Sequence, residues 1–118
     1  MQIWLKRAYE EPDKNDGFRV LVDRIWPRGI SKEELKLDTW LKEVSPSGDL
    51  RKWFDHDSQK WDEFKRRYFA ELKERKGPVE ELRGRIKQGR VTLVYAAHDE
   101  EHNNAVALKE YLETKLNH

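Results

Sequence analysis

Cysteine is missing from all 118 residues. That excludes disulfides, thiol nucleophiles, thiolate zinc sites and iron–sulfur clusters in one step. Long apolar runs are missing too: nothing approaches the length of a membrane span or a signal h-region, and the N-terminal residues enter a strand pattern directly. A cytoplasmic protein with no membrane partner is therefore expected. Charge of one sign is also lacking. The 24 Lys and Arg nearly cancel the 23 Asp and Glu, leaving +1, so no bulk attraction draws the chain to nucleic acid or anionic lipid.

Apolar residues are sparse, at 36% against 40% charged, a balance that alone points toward disorder. Aromatic content argues otherwise. Aromatics make up 11% of the chain, with five Trp, and the apolar positions recur with clear periods. The length suits one domain, 1–118, with one real core.

Ile3 to Tyr9 is strand-like, and a turn-rich connector, Glu10 to Gly17, follows it. Residues 18–26 form the second expected strand, with the continuous apolar run Val20–Leu21–Val22 of a strand covered on both faces. Ser31 with Glu34 makes a capping box for a short helix that breaks near Leu37–Asp38, and a further turn runs through Trp40, Leu41 and Val44. Ser47 caps another short helix with Leu50, Trp53 and Phe54. The clearest helix runs from about Ser58 to Arg75, because Trp61, Phe64, Tyr68 and Leu72 share one face. Gly77–Pro78 starts the next, which carries Val79, Leu82 and Ile86 and closes at Gly89. Residues 91–97 are the best strand, and a final helix from about Asp99 or Glu100 bears Ala105, Leu108, Leu112 and Leu116. Helical connections between strands imply parallel pairing. The expected fold is therefore α/β, a small mainly parallel sheet of about three strands with several helices. The connector between the first two strands is short for a crossover, so that pair could be antiparallel.

Ligands in open parallel sheets sit beyond the carboxyl ends of the strands. Two such ends are densely polar here: Asp23–Arg24–Ile25–Trp26–Pro27–Arg28–Gly29 and His98–Asp99–Glu100–Glu101–His102–Asn103–Asn104. The second leads into a helix N-terminus, which favours an anion. If the two ends meet, Arg24, Arg28, His102 and Asn103 converge on a phosphate or carboxylate, with Asp23 as base or orienting group. Plainer readings stand beside these. Asp99 is well placed as a helix N-cap, Asp23 and Arg24 point to opposite strand faces, and Trp26, Trp40, Trp53 and Trp61 suit packing better than stacking platforms. His56, between two aspartates, suits a solvated or capping role. His98 and His102 are spaced for zinc only if both lie on one helix face, and a zinc protease would need Glu where Asp99 stands. No metal or cofactor is expected.

The motifs at 21–29 and 95–105, with the intervening Leu50–Arg51–Lys52–Trp53–Phe54–Asp55–His56–Asp57, closely resemble the YeaO-like family of bacterial and archaeal proteins, domain of unknown function 488. The resemblance covers essentially the whole chain. It implies an α/β domain of about this length standing alone in the cytoplasm, and it carries no activity or substrate with it. The family's polar positions fall on Asp23, Arg24, Trp26, Pro27, Arg28, Arg51, Trp53, Phe54, His56, Asp99, His102 and Asn103, whereas His98 is the least typical of its run. A looser likeness to rhodanese-like and phosphatase-like domains stops at the missing cysteine, which leaves only an anion pocket and none of their covalent chemistry.

The leading expectation is thus a pocket for a phosphorylated small molecule or nucleotide, with Asp23 and His102 as acid–base candidates and Arg24, Trp26, Arg28, Arg51, Asp99 and Asn103 as ligand contacts. The alternative is a nucleic-acid-binding module in which Lys65, Arg66, Arg67, Arg51, Lys52, Arg24 and Arg28 contact phosphates and a surface Trp stacks a base. A third is an interaction protein whose polar residues form a structural network.

Overall fold

The computed structural model describes residues 2–116, with side chains through Thr114. Four strands, β1 (Ile3–Arg7), β2 (Phe18–Leu21), β3 (Thr39–Trp40) and β4 (Val91–Tyr95), form one sheet in the order β1-β4-β2-β3. Every pair is parallel. The helices are α1 (Lys32–Leu35), α2 (Gly48–Phe54), α3 (Trp61–Lys73), α4 (Lys76–Gln88) and α5 (Asn104–Leu116). The expected α/β class holds, with one strand more than the expected three.

Successive strand residues face opposite sides of the sheet, and the two sides differ. Ile3, Val20, Val22, Val91, Leu93 and Tyr95 join the large core under α2 to α5. Ala8, Leu21 and Val94 face a smaller cluster with Leu35, Trp26 and Trp40. The run Val20–Leu21–Val22 is accordingly buried throughout. On α3, Phe64, Tyr68 and Leu72 are buried on one face as their spacing predicts, and the Tyr68 hydroxyl donates to the Val44 carbonyl.

The smaller side also holds a buried polar cluster. Arg19 donates to Asp16 (2.6 Å), to Leu35 O (2.7 Å) and to Lys36 O (3.1 Å). Lys6 reaches Asp16 at 3.2 Å, and Thr92 Oγ1 donates to Asp16 O at 2.6 Å. Arg19 thereby satisfies the carbonyls at the end of α1, which have no partner inside so short a helix.

Several boundaries correct the expectations. β1 and β2 do not pair at all; both flank β4 in parallel, so the short connector spans the width of one strand. Gly17 makes that connector fit. Its φ is 68°, and a Cβ there would run into the Arg90 carbonyl, which accepts from Phe18 N at 3.0 Å. The turn expected through Trp40 and Val44 is strand β3 followed by a 3₁₀ turn, because Val20 and Leu21 offer an edge for pairing. The second strand ends at Leu21, not residue 26, and the last at Tyr95, not residue 97. The final helix begins at Asn104, so Asp99 is not its N-cap; Asn103 Oδ1 accepts from Val106 N instead (2.9 Å). The Leu116 side chain lies outside the described residues. No helix among those residues is long and apolar enough to cross a membrane.

Candidate functional site

The two polar strand ends meet. A cleft of about 680 Å³ opens beyond the carboxyl ends of β2 and β4, and Asp23, Arg24, Trp26, Arg28, Arg51, Asp99, His102 and Asn103 all line it. These are the eight positions singled out from the sequence.

The 23–30 segment is a loop, not a strand, held at several points. Val22 N bonds Val94 O (3.1 Å), Trp40 Nε1 donates to Asp23 O (2.7 Å), and Trp26 Nε1 donates to Ile30 O (2.7 Å). Trp26 and Trp40 pack edge to face with centroids 5.4 Å apart, and Tyr9 Oη donates to Arg28 O at 3.0 Å. Both indoles thus hold the loop rather than offering a free stacking face. Since residues 23 and 24 leave the strand geometry, the expected opposition of Asp23 and Arg24 across a sheet does not apply. Asp23 turns inward and Arg24 is exposed.

Asp23 joins the two strand ends. Its carboxylate accepts from Ala96 N (2.9 Å) and Asn104 Nδ2 (3.1 Å), and the same amide also donates to Val22 O (3.0 Å). Burial pushes the Asp23 carboxyl above its ordinary value, while the two hydrogen bonds and the nearby Arg51 charge pull it down by less. Arg51 sits on α2, whose N-terminus is capped by Ser47 (Leu50 N to Ser47 Oγ, 3.1 Å). Glu71 anchors that Ser47, accepting from its N–H at 2.8 Å and its hydroxyl at 2.5 Å. After α2 the chain turns through Asp55 and His56, both at positive φ, and His56 reaches the cleft while remaining exposed.

On the β4 side, Asp99 organises the loop. It accepts from Glu101 N and His102 N, both at 2.9 Å, and from the His102 ring at 3.0 Å. The backbone bonds, more than the histidine, hold the Asp99 carboxyl below the usual range. With Nδ1 on Asp99, the Nε2 edge of His102 is left for a ligand, and the ring packs edge-on to Trp61 with centroids 5.3 Å apart. His102 therefore pairs with Asp99, not with Asp23. His98 lines the same cleft, with its Nδ1 against Arg7 Nη2 at 3.4 Å, and among the described residues no three metal-ligating side chains gather anywhere. Arg7 also donates to Ala96 O and Ala97 O (3.2 and 2.9 Å), fixing the strand end.

Sequence reasoning named Ile25, Phe54 and Asn104 only as members of motifs, without a role, and missed Tyr9 and Phe64 as cleft walls and Arg7 as a support. Asn104 carried a signal, being the second of two amides after a strand; Arg7 and Phe64 carried none, since their roles depend on which elements become neighbours.

The three basic residues that the nucleic-acid reading takes from the long helix are occupied elsewhere. Arg66 and Arg67 both bond Glu63 (2.5 and 2.8 Å), Lys65 pairs with Glu110 at 3.1 Å, and Arg67 also lies over Trp53.

The fold and cleft define a parallel α/β domain with a recess of apolar walls and charged side chains at the carboxyl ends of adjacent strands. Residues 2–118 match the family described as the inactive DUF488-N3 subclade, and the chain belongs to that family. It is 40% identical to "Uncharacterized protein YeaO" of Escherichia coli (strain K12) over 95% of this chain and 97% of that protein. The identity is also 40% to "Uncharacterized protein Rv3073c" of Mycobacterium tuberculosis (strain ATCC 25618 / H37Rv), over 94% of this chain and 93% of that one. No solved structure matches the chain significantly.

Proposed function

We propose that the chain is a binding module for a small phosphorylated or nucleotide-like anion, held in the cleft between the ends of β2 and β4. One observation carries the reading. Arg24, Arg28 and Arg51 face the same cleft, and among the described residues none of their guanidinium groups has a carboxylate or carbonyl partner. The other arginines are engaged by main-chain oxygens, by acidic groups or by aromatic rings. Guanidinium is a fork of donors suited to phosphate oxygens, and these three line one cleft with their donors free of hydrogen-bonded protein acceptors among the described residues. The description of the family as inactive supports binding without turnover. In that role Asp23 and the Asp99–His102 pair orient the ligand and the two loops.

The test is thermal unfolding in the presence of inorganic phosphate. At ten times the dissociation constant, mass action adds about 1.4 kcal/mol, a rise near 5 °C for a chain of this size. Arg28→Gln and Arg51→Gln should fold normally and lose that rise. Stabilisation that survives both substitutions would refute the pocket. If phosphate does nothing while a generic oligonucleotide binds with steep salt dependence, the nucleic-acid reading displaces this one.

A further inference from the structure

Building on the anion-binding reading, we propose that the ligand is a phosphate monoester carried on a flat aromatic body, not a bare oxyanion. Among the described residues only Trp4, Tyr9 and Ile25 are large hydrophobic side chains left exposed, at 41%, 47% and 55%. Trp4 lies under the Arg90 guanidinium, 3.8 Å from its ring centroid. The other two belong to the cleft.

Their positions tie them to the cationic residues. Ile25 sits between Arg24 and Arg28 in the loop that presents both. The Tyr9 hydroxyl is spent on Arg28 O at 3.0 Å, and the Arg7 guanidinium lies 5.3 Å from its ring centroid. The ring is thereby a braced aromatic plate beside an anion-binding arginine. Deeper in, Phe54 and Phe64 contact each other with centroids 4.3 Å apart and, with Ala96 and Ala97, give the cleft an apolar wall. Ligand pockets for small organic molecules are largely apolar with a few charged groups that fix orientation, at volumes of about 300–1,000 Å³. The 680 Å³ here falls within that range. A bare phosphate on the arginines would leave Ile25 and Tyr9 in water, whereas an aromatic body covers them and adds apolar burial to the same binding event.

Isothermal titration of the whole chain with inorganic phosphate and with 1-naphthyl phosphate tests this. Naphthyl phosphate should bind at least about tenfold tighter, and Ile25→Ser should bring the two affinities to within about a factor of two. Equal affinities in the unaltered chain overturn the proposal and leave the anion-binding reading standing. Binding of neither compound overturns both. Binding of 1-naphthol as tightly as its phosphate also overturns it, because the body alone would then suffice.

Discussion

Replacing Arg19 by Met tests whether the buried polar cluster on the smaller sheet face is as integral as its geometry implies. Arg19 is 4% exposed and its guanidinium is fully used, on Asp16 at 2.6 Å and on the Leu35 and Lys36 carbonyls at 2.7 and 3.1 Å. Methionine fills much of the volume but leaves Asp16, itself 2% exposed, with only Lys6 and local backbone as partners. Breaking a buried pair from one side costs about 3–5 kcal/mol. At an m value near ~1.5 kcal/mol per molar, the urea midpoint should fall by about 2–3 M. Acid provides the control. Burial pushes the Asp16 carboxyl up, but bonds from Asp13 N–H, Lys6 and Arg19 outweigh it and hold the group below its ordinary value. A depressed carboxyl contributes stability above its unfolded value, about 3.9, and loses it as pH falls through the folded one. The gap between the two proteins should therefore narrow below about pH 4. A midpoint shift under about 0.5 M at neutral pH, or a gap indifferent to acid, would refute the reasoning.

Gly17→Ala should destabilise by at least about 2 kcal/mol, since the residue combines positive φ with the Arg90 carbonyl in the path of any Cβ; thermal unfolding reads it, and a neutral outcome contradicts the tight connector. Tyr68→Phe leaves the Val44 carbonyl without its buried donor and should cost about 1–2 kcal/mol, measurable as a lower denaturant midpoint. Burial also keeps that phenol protonated far into alkali, so at least one tyrosine should stay silent in an ultraviolet titration until the chain unfolds. Burial raises the Asp23 carboxyl and the Arg51 charge lowers it in part, so Arg51→Gln should move its carbon-13 titration upward; an unchanged titration would place Arg51 away from it. The sign carries to stability: the raised Asp23 value favours folding below the unfolded value and loses that contribution as pH rises through the folded one.

Locally encoded features were legible from residue order alone. The 3.6-residue period of Trp61, Phe64, Tyr68 and Leu72 specifies α3, the capping box at Ser31 specifies the start of α1, and Val20–Leu21–Val22 reads as a strand hidden on both faces. Each rests on interactions within a few residues or on simple alternation, so order along the chain suffices. Seven of the eight cleft positions were likewise visible after two strands, because strand carboxyl ends in parallel sheets collect such residues; Arg51, on α2, was offered as a site position only by the family resemblance.

Tertiary structure alone decided where the strands stop and what they meet. Asp99 and Asn103 are both competent caps by residue type; Asn103 takes α5 because Asn104 is tethered across to Val22 and Asp23, which delays the helix by a turn. The polar run at 98–104 is consequently a loop braced by Asp99. β4 inserts between β1 and β2 because it can pair along both its edges, a choice that local periodicity does not contain. That insertion places the Asp23 loop beside the His102 loop, and the packing of α2 and α3 adds Arg51, Phe54 and Phe64 to the same cleft. Proximity between residues 23, 51, 64 and 102 is made by long-range packing, and no spacing along the chain encodes it.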